Sequence, residues 1–234
     1  MQAVILAGGL GARLKPVTDE IPKAMIPIRG KPFLEHQIGL LKRNGVSDIV
    51  LCLGYLGEKI KDHFGDGAKF GVKISYSEEG KKLMGTAGAL KKAEAMLDDA
   101  FFVTYGDAYL LIDYRGVMEY FQKTDKLGLM VVYKNYDKYD RSNVVVEDGM
   151  VKIYDKKKKH PNMVYIDFGV SALRKKALGL IRSGEVMDLE GLYQQLIRRR
   201  ELRAFETDQR FFEVGSPEGL REFEELVFSE KIKI

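Results

Sequence analysis

The segment VILAGGLGARLKPVTDEIPK, residues 4–23, decides the fold of this chain. It opens inside the short apolar run 3–6, which is typical of a buried parallel strand, and three glycines follow closely. Glycines after a strand let backbone N–H groups turn inward and approach the phosphates or the base of a ligand. Arg13 and Lys23 add two cations suited to a triphosphate. The segment therefore predicts a strand followed by a phosphate-binding loop.

The rest of the first half alternates short apolar runs with amphipathic stretches. Strands are predicted at 3–6, 48–53, 72–76 and 100–105. Helices are predicted from Pro32 to a stop at Gly45, and at 56–64 and 86–97. Strands and helices that alternate through short loops imply an α/β fold, with a mostly parallel central sheet and helices on both faces.

The pattern changes after Asp107. Shorter strands are predicted at 127–133, 143–146, 151–154 and 164–172. The turn residues 147–149 indicate a hairpin. Helices are predicted at 174–181, at 189–199 and from Pro217. Since no Pro/Ser-rich linker separates the halves, we expect residues 1–234 to form a single domain whose second half builds a small β-rich lid.

Composition limits the classes of protein to which the chain can belong. Its 234 residues are 45% hydrophobic and 31% charged, which is ordinary for a soluble globular protein. No apolar run reaches the roughly 18 residues of a membrane span, and the start lacks the basic region of a signal peptide. Cys52 is the only cysteine, which excludes an internal disulfide and fits a reducing compartment. We therefore expect a cytoplasmic protein without a membrane partner.

The excess of basic residues is small. Lys and Arg number 38 against 34 Asp and Glu, which gives a formal charge of +4. Two basic runs, 156–159 and 198–200, have neither interleaved aromatic residues nor a nucleic-acid motif around them. They indicate a solvated hairpin turn and an exposed helix end, so no nucleic-acid partner is expected. A modest positive balance also suits an enzyme that handles phosphates.

Two common phosphate loops do not fit the opening segment. A Walker A loop ends in Gly-Lys-Ser/Thr, which is absent there. The dinucleotide fingerprint requires a third small residue where this chain has Leu14, and Pro16 interrupts a helix that begins there. A hydride-transfer enzyme is therefore disfavoured. A glycine turn with solvated cations is the other alternative, and it does not account for the full Gly-Gly-x-Gly-x-Arg … Pro-Lys string.

The string LAGGLGARLKPVTDEIPKAMIPIRGKP, residues 6–32, resembles the opening of the sugar-phosphate nucleotidyltransferases. That family includes compact hexose and heptose 1-phosphate guanylyl-, uridylyl- and cytidylyltransferases. The molybdenum-cofactor and isoprenoid cytidylyltransferases carry shorter, differently spaced versions and match less well. The resemblance implies a Rossmann-like nucleotidyltransferase fold with a nucleotide-binding half, 1–110, and an acceptor-binding half, 111–234.

The resemblance also implies roles for the glycine loop and for a second motif. In the family the loop wraps the nucleotide, the arginine supports the transferring phosphoryl group and the lysine contacts phosphate. Residues 84–90, MGTAGAL, are similar to the family's LGTAGAL, where the Gly-Thr pair and an acidic residue near the preceding strand end read the base. A solvated turn is the alternative for Glu78. The nucleotide-binding residues implied in this way are Leu6, Ala7, Gly8, Gly9, Gly11, Arg13, Lys23, Glu78, Gly85, Thr86 and Gly106.

Phosphoryl transfer between two anions requires charge neutralisation, which Mg²⁺ supplies when one or two carboxylates and phosphate oxygens hold it. Ligands of an α/β sheet bind at the carboxyl ends of its strands, where Asp107 lies and matches the family's Gly-Asp motif. The family commonly writes a second carboxylate as Asp-x-Gly-Thr-Pro before the last helix, where this chain has Glu213 in FEVGSP, 212–217. The implied metal ligands are Asp107 and Glu213, with Mg²⁺ as the ion and Mn²⁺ as an alternative. The implied catalytic residues are Arg13, Lys23 and Asp107. A lid interaction or the start of the last helix is the alternative for Glu213.

The acceptor half carries two further matches. Tyr-Asp-Lys at 154–156 resembles the family's Glu-Lys pair, where the acid binds sugar hydroxyls and the lysine binds the sugar phosphate. Asp-Phe-Gly at 167–169 aligns with its Asn-Ala-Gly, and aspartate leaves only an acceptor where asparagine both donates and accepts. A solvated hairpin tip is the alternative for Lys156. The acceptor-binding residues implied are Asp155, Lys156, Asp167 and Gly169.

The implied roles together predict an enzyme that transfers a nucleoside monophosphate from an NTP to a hexose or heptose 1-phosphate. In-line displacement would give an NDP-sugar and pyrophosphate. The nucleotide stays open among GTP, UTP, CTP and dTTP. Two alternatives remain. One is a non-sugar acceptor such as phosphocholine, with Tyr136, Tyr139 and Tyr165 as a cation cage. The other is an inactive module on the same fold that binds nucleotide or sugar phosphate.

Overall fold

The computed structural model describes residues 1–80 and 83–229. Its strands are β1 (Gln2–Leu6), β2 (Pro27–Ile28), β3 (Lys31–Pro32), β4 (Asp48–Leu53), β5 (Lys73–Glu78), β6 (Ala100–Tyr105), β7 (Ala108–Leu110), β8 (Gly128–Lys134), β9 (Val144–Glu147), β10 (Met150–Tyr154), β11 (Tyr165–Arg174), β12 (Leu202–Thr207) and β13 (Phe211–Glu213). Its α-helices are α1 (Val17–Glu20), α2 (Phe33–Arg43), α3 (Gly57–Phe64), α4 (Gly85–Lys92), α5 (Tyr114–Gln122), α6 (Leu189–Arg198) and α7 (Pro217–Phe228).

A nine-stranded sheet in the order β5-β4-β1-β6-β11-β8-β12-β10-β9 forms the centre of the molecule. The block β5-β4-β1-β6 and the pair β8–β12 are parallel, and the other neighbours are antiparallel. Leu6 lies opposite both Cys52 and Tyr105, so β1, β4 and β6 end at the same level. The loops that follow these strands therefore meet at one edge of the sheet.

Apolar side chains cover both faces of this sheet. On one face, the odd-numbered positions of β1 pack with Leu34, Ile38 and Leu41 of α2 and with residues of α3 and α5. On the other face, Val4 and Leu6 pack with residues of α4 and α6. Alternation along β1 sends successive side chains to opposite faces, so one strand contributes to both cores. The predicted α/β fold with helices on both faces is confirmed.

The last helix, α7, packs against the small sheet that β7 and β13 form. The Ser216 hydroxyl accepts a hydrogen bond from the Gly219 backbone N–H at 3.1 Å, and Pro217 occupies the first turn, so α7 begins where the sequence predicts. Phe223 is buried and its ring lies 5.1 Å from that of Phe33. Through this packing α7 supports β13, which pairs with β7.

Most predicted elements are confirmed, and a few are wrong. The stretch 174–181 is not an α-helix: β11 runs through Arg174, and a 3-10 helix, Lys175–Leu180, follows. The helix predicted at 86–97 ends at Lys92. Helix α5 and strand β12 were not predicted, although Asp113 caps α5 through its carboxylate and the buried residues Leu202 and Ala204 alternate along β12.

All five strands from β8 to β12 belong to the central sheet, and β11 joins them to the first half by pairing with β6. The pair β13–β7 forms a separate small sheet. The predicted hairpin at 147–149 joins β9 to β10, with positive φ angles of 53° at Asp148 and 68° at Gly149. Among residues 1–80 and 83–229, no helix is long and apolar enough to cross a membrane.

Candidate active site

Two adjoining pockets lie at the carboxyl ends of β1 and β6. The smaller has a volume of about 270 Å³ and is lined by the glycine loop and by residues after β5. The larger, of about 720 Å³, is lined by residues of the second half. Tyr105 and Asp107 line both pockets. Asp107 therefore lies where groups bound in the two pockets would meet.

The glycine loop forms one wall of the smaller pocket. The predicted residues Leu6, Ala7, Gly8, Gly9 and Gly11 all line it. Gly11 adopts a left-handed φ of 62°, and a Cβ at Gly8 would lie only 3.2 Å from the Gly54 backbone nitrogen. Both positions require glycine, because a larger side chain would be strained or would collide with the neighbouring loop.

Lys23 and Asp107 both line this pocket and form an ion pair. The Lys23 side chain is 16% exposed and that of Asp107 is 25% exposed. A short 3-10 helix, Lys23–Met25, positions the lysine, and the turn between β6 and β7 positions the aspartate. Eighty-four residues separate the pair in sequence. The fold therefore brings together two of the predicted catalytic residues.

Glu213 and Arg13 lie beside this pair, in the larger pocket. Glu213 pairs with Ala108 in the β13–β7 sheet, and the Val214 N–H donates to the Asp107 carbonyl at 2.8 Å. Burial and the neighbouring Asp107 carboxylate raise the pKa of Glu213, and Arg13 opposes them from 4.0 Å. The negative charge of Asp107 is thus felt at the Glu213 carboxylate.

Of the two neighbouring glutamates after β5, Glu79 lines the smaller pocket, which Asp107 and Asp188 also line. The prediction named Glu78, but the Glu78 carboxylate is 57% exposed and accepts a hydrogen bond from the Lys61 ammonium at 2.6 Å outside the pocket. Glu79 lines the pocket and accepts a hydrogen bond from the Met84 N–H at 2.7 Å. Successive side chains of an extended segment point to opposite sides, so only one of the two can face the smaller pocket.

Gly85, Thr86 and Gly106, which the sequence predicts as nucleotide-binding residues, line the smaller pocket. The Thr86 hydroxyl accepts a hydrogen bond from the Leu189 N–H at 2.7 Å, at the start of α6. Gly85 has a φ of 72°, and a Cβ there would approach the Met187 carbonyl carbon to 2.9 Å. The Gly-Thr pair therefore joins the pocket wall to α6 through close backbone contacts.

Lys156, Asp167 and Gly169, which the sequence predicts as acceptor-binding residues, line the larger pocket. The Lys156 ammonium lies 5.5 Å from the centre of the Tyr105 ring and 5.8 Å from that of Tyr154, within the range of cation–π attraction. The Asp167 carboxylate accepts hydrogen bonds from the Tyr154 hydroxyl and from the Gly169 N–H, both at 3.0 Å. These contacts hold a cation and an anion on the same wall.

Asp155 does not line either pocket. Its carboxylate accepts hydrogen bonds from the N–H groups of Lys157 and Lys158, both at 2.7 Å, and these bonds lower its pKa. Short aspartate side chains commonly close turns in this way. The predicted acceptor contact through Asp155 is therefore not supported.

The larger pocket also contains residues that the sequence did not single out. Asn143 accepts a hydrogen bond from the Asp167 N–H at 3.0 Å through its side-chain oxygen. The Arg210 guanidinium lies 3.6 Å from the centre of the Tyr139 ring and pairs with Glu222. Arg141 completes this group. Their only sequence signal is a position in the loops beside β9 and β13.

The pattern that defines the nucleotidyl transferase family matches residues 2–188 of this sequence. The chain belongs to this family. The predicted membership of the sugar-phosphate nucleotidyltransferases and the Rossmann-like fold are confirmed.

Relatives in sequence and in structure support the assignment to the nucleotidyl transferases. The D-glycero-alpha-D-manno-heptose 1-phosphate guanylyltransferase of Campylobacter jejuni is 34% identical over 95% of this chain and 98% of that enzyme. The UTP–glucose-1-phosphate uridylyltransferase of Synechocystis is 33% identical over 84% of this chain, which spans 55% of that relative. The crystal structure of HddC from Yersinia pseudotuberculosis complexed with GMP-PN superposes with a TM-score of 0.80 at 29% identity, over 97% of this chain and 99% of that one.

Nucleotidyl transferases of this family generally use a divalent metal ion. Within residues 1–80 and 83–229, no group of three or more His, Cys, Asp or Glu side chains is placed to hold a metal alone. The adjacent carboxylates of Asp107 and Glu213 fit a cation that also takes phosphate oxygens and water as ligands. This donor set suits a metal that arrives with a nucleotide.

Proposed function

We propose that this nucleotidyl transferase transfers a nucleoside monophosphate from an NTP to a sugar 1-phosphate. The observation that carries the proposal is the position of Asp107. It lines the glycine-loop pocket on one side and the pocket of Lys156 and Asp167 on the other. A nucleotide in the first and a phosphorylated acceptor in the second would meet at this carboxylate. We propose that residues 1–110 and 111–234 are the nucleotide- and acceptor-binding halves of one domain, acting in the cytoplasm.

The reaction that fits this arrangement is a direct displacement at phosphorus. An oxygen of the acceptor phosphate attacks the α-phosphorus, and the bond from that phosphorus to the bridging oxygen breaks as pyrophosphate leaves. Arg13 and Lys23 stabilise the negative charge that develops on the phosphoryl oxygens. Lys156 orients the acceptor phosphate. No general base is required, because the acceptor phosphate is already anionic.

A divalent cation, for which we propose Mg²⁺, would be held by Asp107 and Glu213 and would neutralise charge on the phosphates. Mg²⁺ commonly binds one or two carboxylates of a protein when the substrate supplies phosphate oxygens. Mn²⁺, which accepts the same oxygen ligands, is the alternative ion.

We propose GTP as the nucleotide. The Glu79 carboxylate only accepts hydrogen bonds, and the Watson–Crick edge of guanine presents two adjacent donors, N1–H and the 2-amino group. The Campylobacter jejuni relative is a guanylyltransferase, and the HddC structure contains GMP-PN. Because this chain is similar to the Campylobacter jejuni guanylyltransferase, D-glycero-α-D-manno-heptose 1-phosphate is the first acceptor to test.

Replacing Glu79 by glutamine is expected to lower kcat/KM for GTP by about 10–100-fold, the value of a hydrogen bond to a charged group. Glutamine keeps an oxygen for the Met84 N–H, so the local backbone contact survives. The measurement is pyrophosphate release at varied GTP. Glu78→Gln is the matched control, because Glu78 faces Lys61 outside the pocket, and it should change kcat/KM less than about twofold. Equal losses in the two variants would contradict this assignment.

Asn143 is expected to read the acceptor. The Asp167 N–H fixes its side-chain oxygen, so its NH₂ group is the free end at the pocket wall, and Asp167 supplies the acceptor beside it. Asn143→Ala should raise the KM for the sugar 1-phosphate by about 10-fold and leave the KM for GTP unchanged. Asn162→Ala, in an exposed turn, is the control. A rise in both KM values for Asn143→Ala would contradict the role.

The proposal as a whole is tested by pyrophosphate release with four NTPs and a panel of acceptors in Mg²⁺. The panel contains glucose, mannose and heptose 1-phosphates and phosphocholine. The expected result is turnover with a sugar 1-phosphate. Phosphocholine is disfavoured because Arg210 already covers the Tyr139 ring and the Tyr165 hydroxyl bonds Glu206. Nucleotide binding without turnover of any pair would support the inactive module instead.

A further inference from the structure

Gln37 is a polar side chain on the apolar face of α2. This helix buries Leu34, Ile38 and Leu41 in the core, and Gln37 lies among them with 3% of its surface exposed. A buried amide loses its contacts with water, so its polar atoms normally find partners in the protein. Apolar packing alone therefore does not account for a glutamine at position 37.

The Gln37 amide bridges the turn that carries Asp107. Its Nε2 group donates hydrogen bonds to the carbonyl oxygens of Tyr105 and Ala108, both at 2.8 Å. These carbonyls flank the dipeptide Gly106-Asp107. The orientation of the amide is determined, because only its NH₂ group can donate to two carbonyls. One side chain thus closes the turn from the side of α2.

The carbonyl oxygen of the Gln37 amide does not contribute to holding the turn. Gln37 Oε1 is buried without a hydrogen-bond partner among the described residues. A leucine would continue the apolar stripe without that penalty. Glutamine at this position is explained by its two donated bonds, which only the turn at Asp107 receives.

The opposite side of the turn is held by β13. The Val214 N–H donates to the Asp107 carbonyl, and Glu213 pairs with Ala108. The turn is therefore held between α2 and β13, which keeps the Asp107 carboxylate beside Lys23 and near Glu213. Without Gln37, one of these two supports is lost.

We propose that Gln37 is a positioning residue that sets the Asp107 carboxylate for metal binding and nucleotidyl transfer. The inference rests on the proposed function, in which Asp107 acts on the reacting phosphates. Gln37 lines neither pocket, so its loss changes the placement of Asp107 and not the affinity for either substrate alone.

The test compares Gln37→Met with Gln2→Met. Gln2 is also 3% exposed, and its amide also bridges backbone: its Nε2 donates to the Met96 carbonyl at 3.1 Å and its Oε1 accepts from the Asp98 N–H at 2.8 Å. It lies at the start of β1, at the far end of the strand from the glycine loop. Methionine keeps the length of glutamine and removes the hydrogen bonds, so both variants should lose roughly 2–10 °C in Tm.

Only Gln37→Met should affect the site. We expect its kcat to fall about 10²-fold and the Mg²⁺ concentration for half-maximal activity to rise, with both substrate KM values within about twofold of wild type. A readout without turnover is the thermal shift that Mn²⁺ with a non-hydrolysable GTP analogue gives to the intact chain. That shift should shrink in Gln37→Met and persist in Gln2→Met.

The proposal is overturned if Gln37→Met keeps the kcat and the Mn²⁺ shift of wild type, or if Gln2→Met loses as much of both. If Gln37→Met does not fold, Gln37→Leu replaces it, and failure of both to fold would show a purely structural role. If wild type transfers no nucleotide to any acceptor, the proposed function fails on its own, and the Mn²⁺ shift still reports whether Gln37 places Asp107.

Discussion

Asp107→Asn is expected to lower kcat by on the order of 10³-fold and to leave the fold intact. Asparagine keeps the shape of the side chain and removes its charge. The charge is the property that the site uses, because it pairs with Lys23 and, with Glu213, would hold the cation on the phosphates. Loss of this one group should therefore abolish most turnover.

The stability of Asp107→Asn should fall by only about 1–3 kcal/mol, since Lys23 loses a partly buried partner. Urea unfolding and kcat at saturating substrates measure the two effects separately. Asp48→Asn is the matched control: Asp48 pairs with Lys73 at 3.6 Å at the start of β4, outside both pockets. The assignment of Asp107 is wrong if its variant turns over at the rate of the control.

Lys23→Met is expected to lower kcat/KM for the NTP by about 10²-fold and to leave the KM for the acceptor nearly unchanged. The Lys23 ammonium lies in the pocket of the glycine loop, and a Cβ at Gly215 would meet it at 3.0 Å. Lys23 does not line the larger pocket, where we propose that the acceptor binds. We therefore expect its charge to act on the triphosphate.

Initial rates at varied NTP and varied acceptor separate the two effects of Lys23→Met. Lys73→Met is the control, because Lys73 also pairs with an aspartate but its side chain is mostly exposed. Lys73 and Asp48 form a second charge pair, near the surface. Double-mutant cycles can therefore compare the coupling energy of Lys23 with Asp107 to that of Lys73 with Asp48. Comparable increases in the KM of both substrates would refute a triphosphate role for Lys23.

Local signals in the sequence predicted the fold and the glycine loop. The apolar run 3–6 and the glycines after it appear in the structure as β1 and the loop against Gly54. Strand 100–105 and the start of α7 at Pro217 also match. Such signals lie within a few residues of one another, because strand alternation, helix caps and glycine φ angles are properties of short segments.

Side-chain direction was the first thing that local signals could not decide. Glu78 and Glu79 are neighbours of the same type, and the pairing of Leu53 with Glu78 sends one carboxylate to Lys61 and the other into the pocket. Asp155 matched a family motif, but its carboxylate accepts hydrogen bonds from backbone N–H groups of its own turn. A shift of one residue decides which glutamate lines the pocket, and two local hydrogen bonds hold the Asp155 carboxylate in its own turn.

The sequence by itself determined the α/β fold, the glycine loop and the family to which the chain belongs. Only the tertiary structure decided that Glu79 lines the pocket of the glycine loop, that the Asn143 side chain bonds the Asp167 N–H, and that the Gln37 amide bridges the turn of Asp107. The physical reason is range. Periodicity and turns depend on neighbours in sequence, whereas the active site is made of contacts such as Lys23 with Asp107, which exist only after the strands of the sheet have paired.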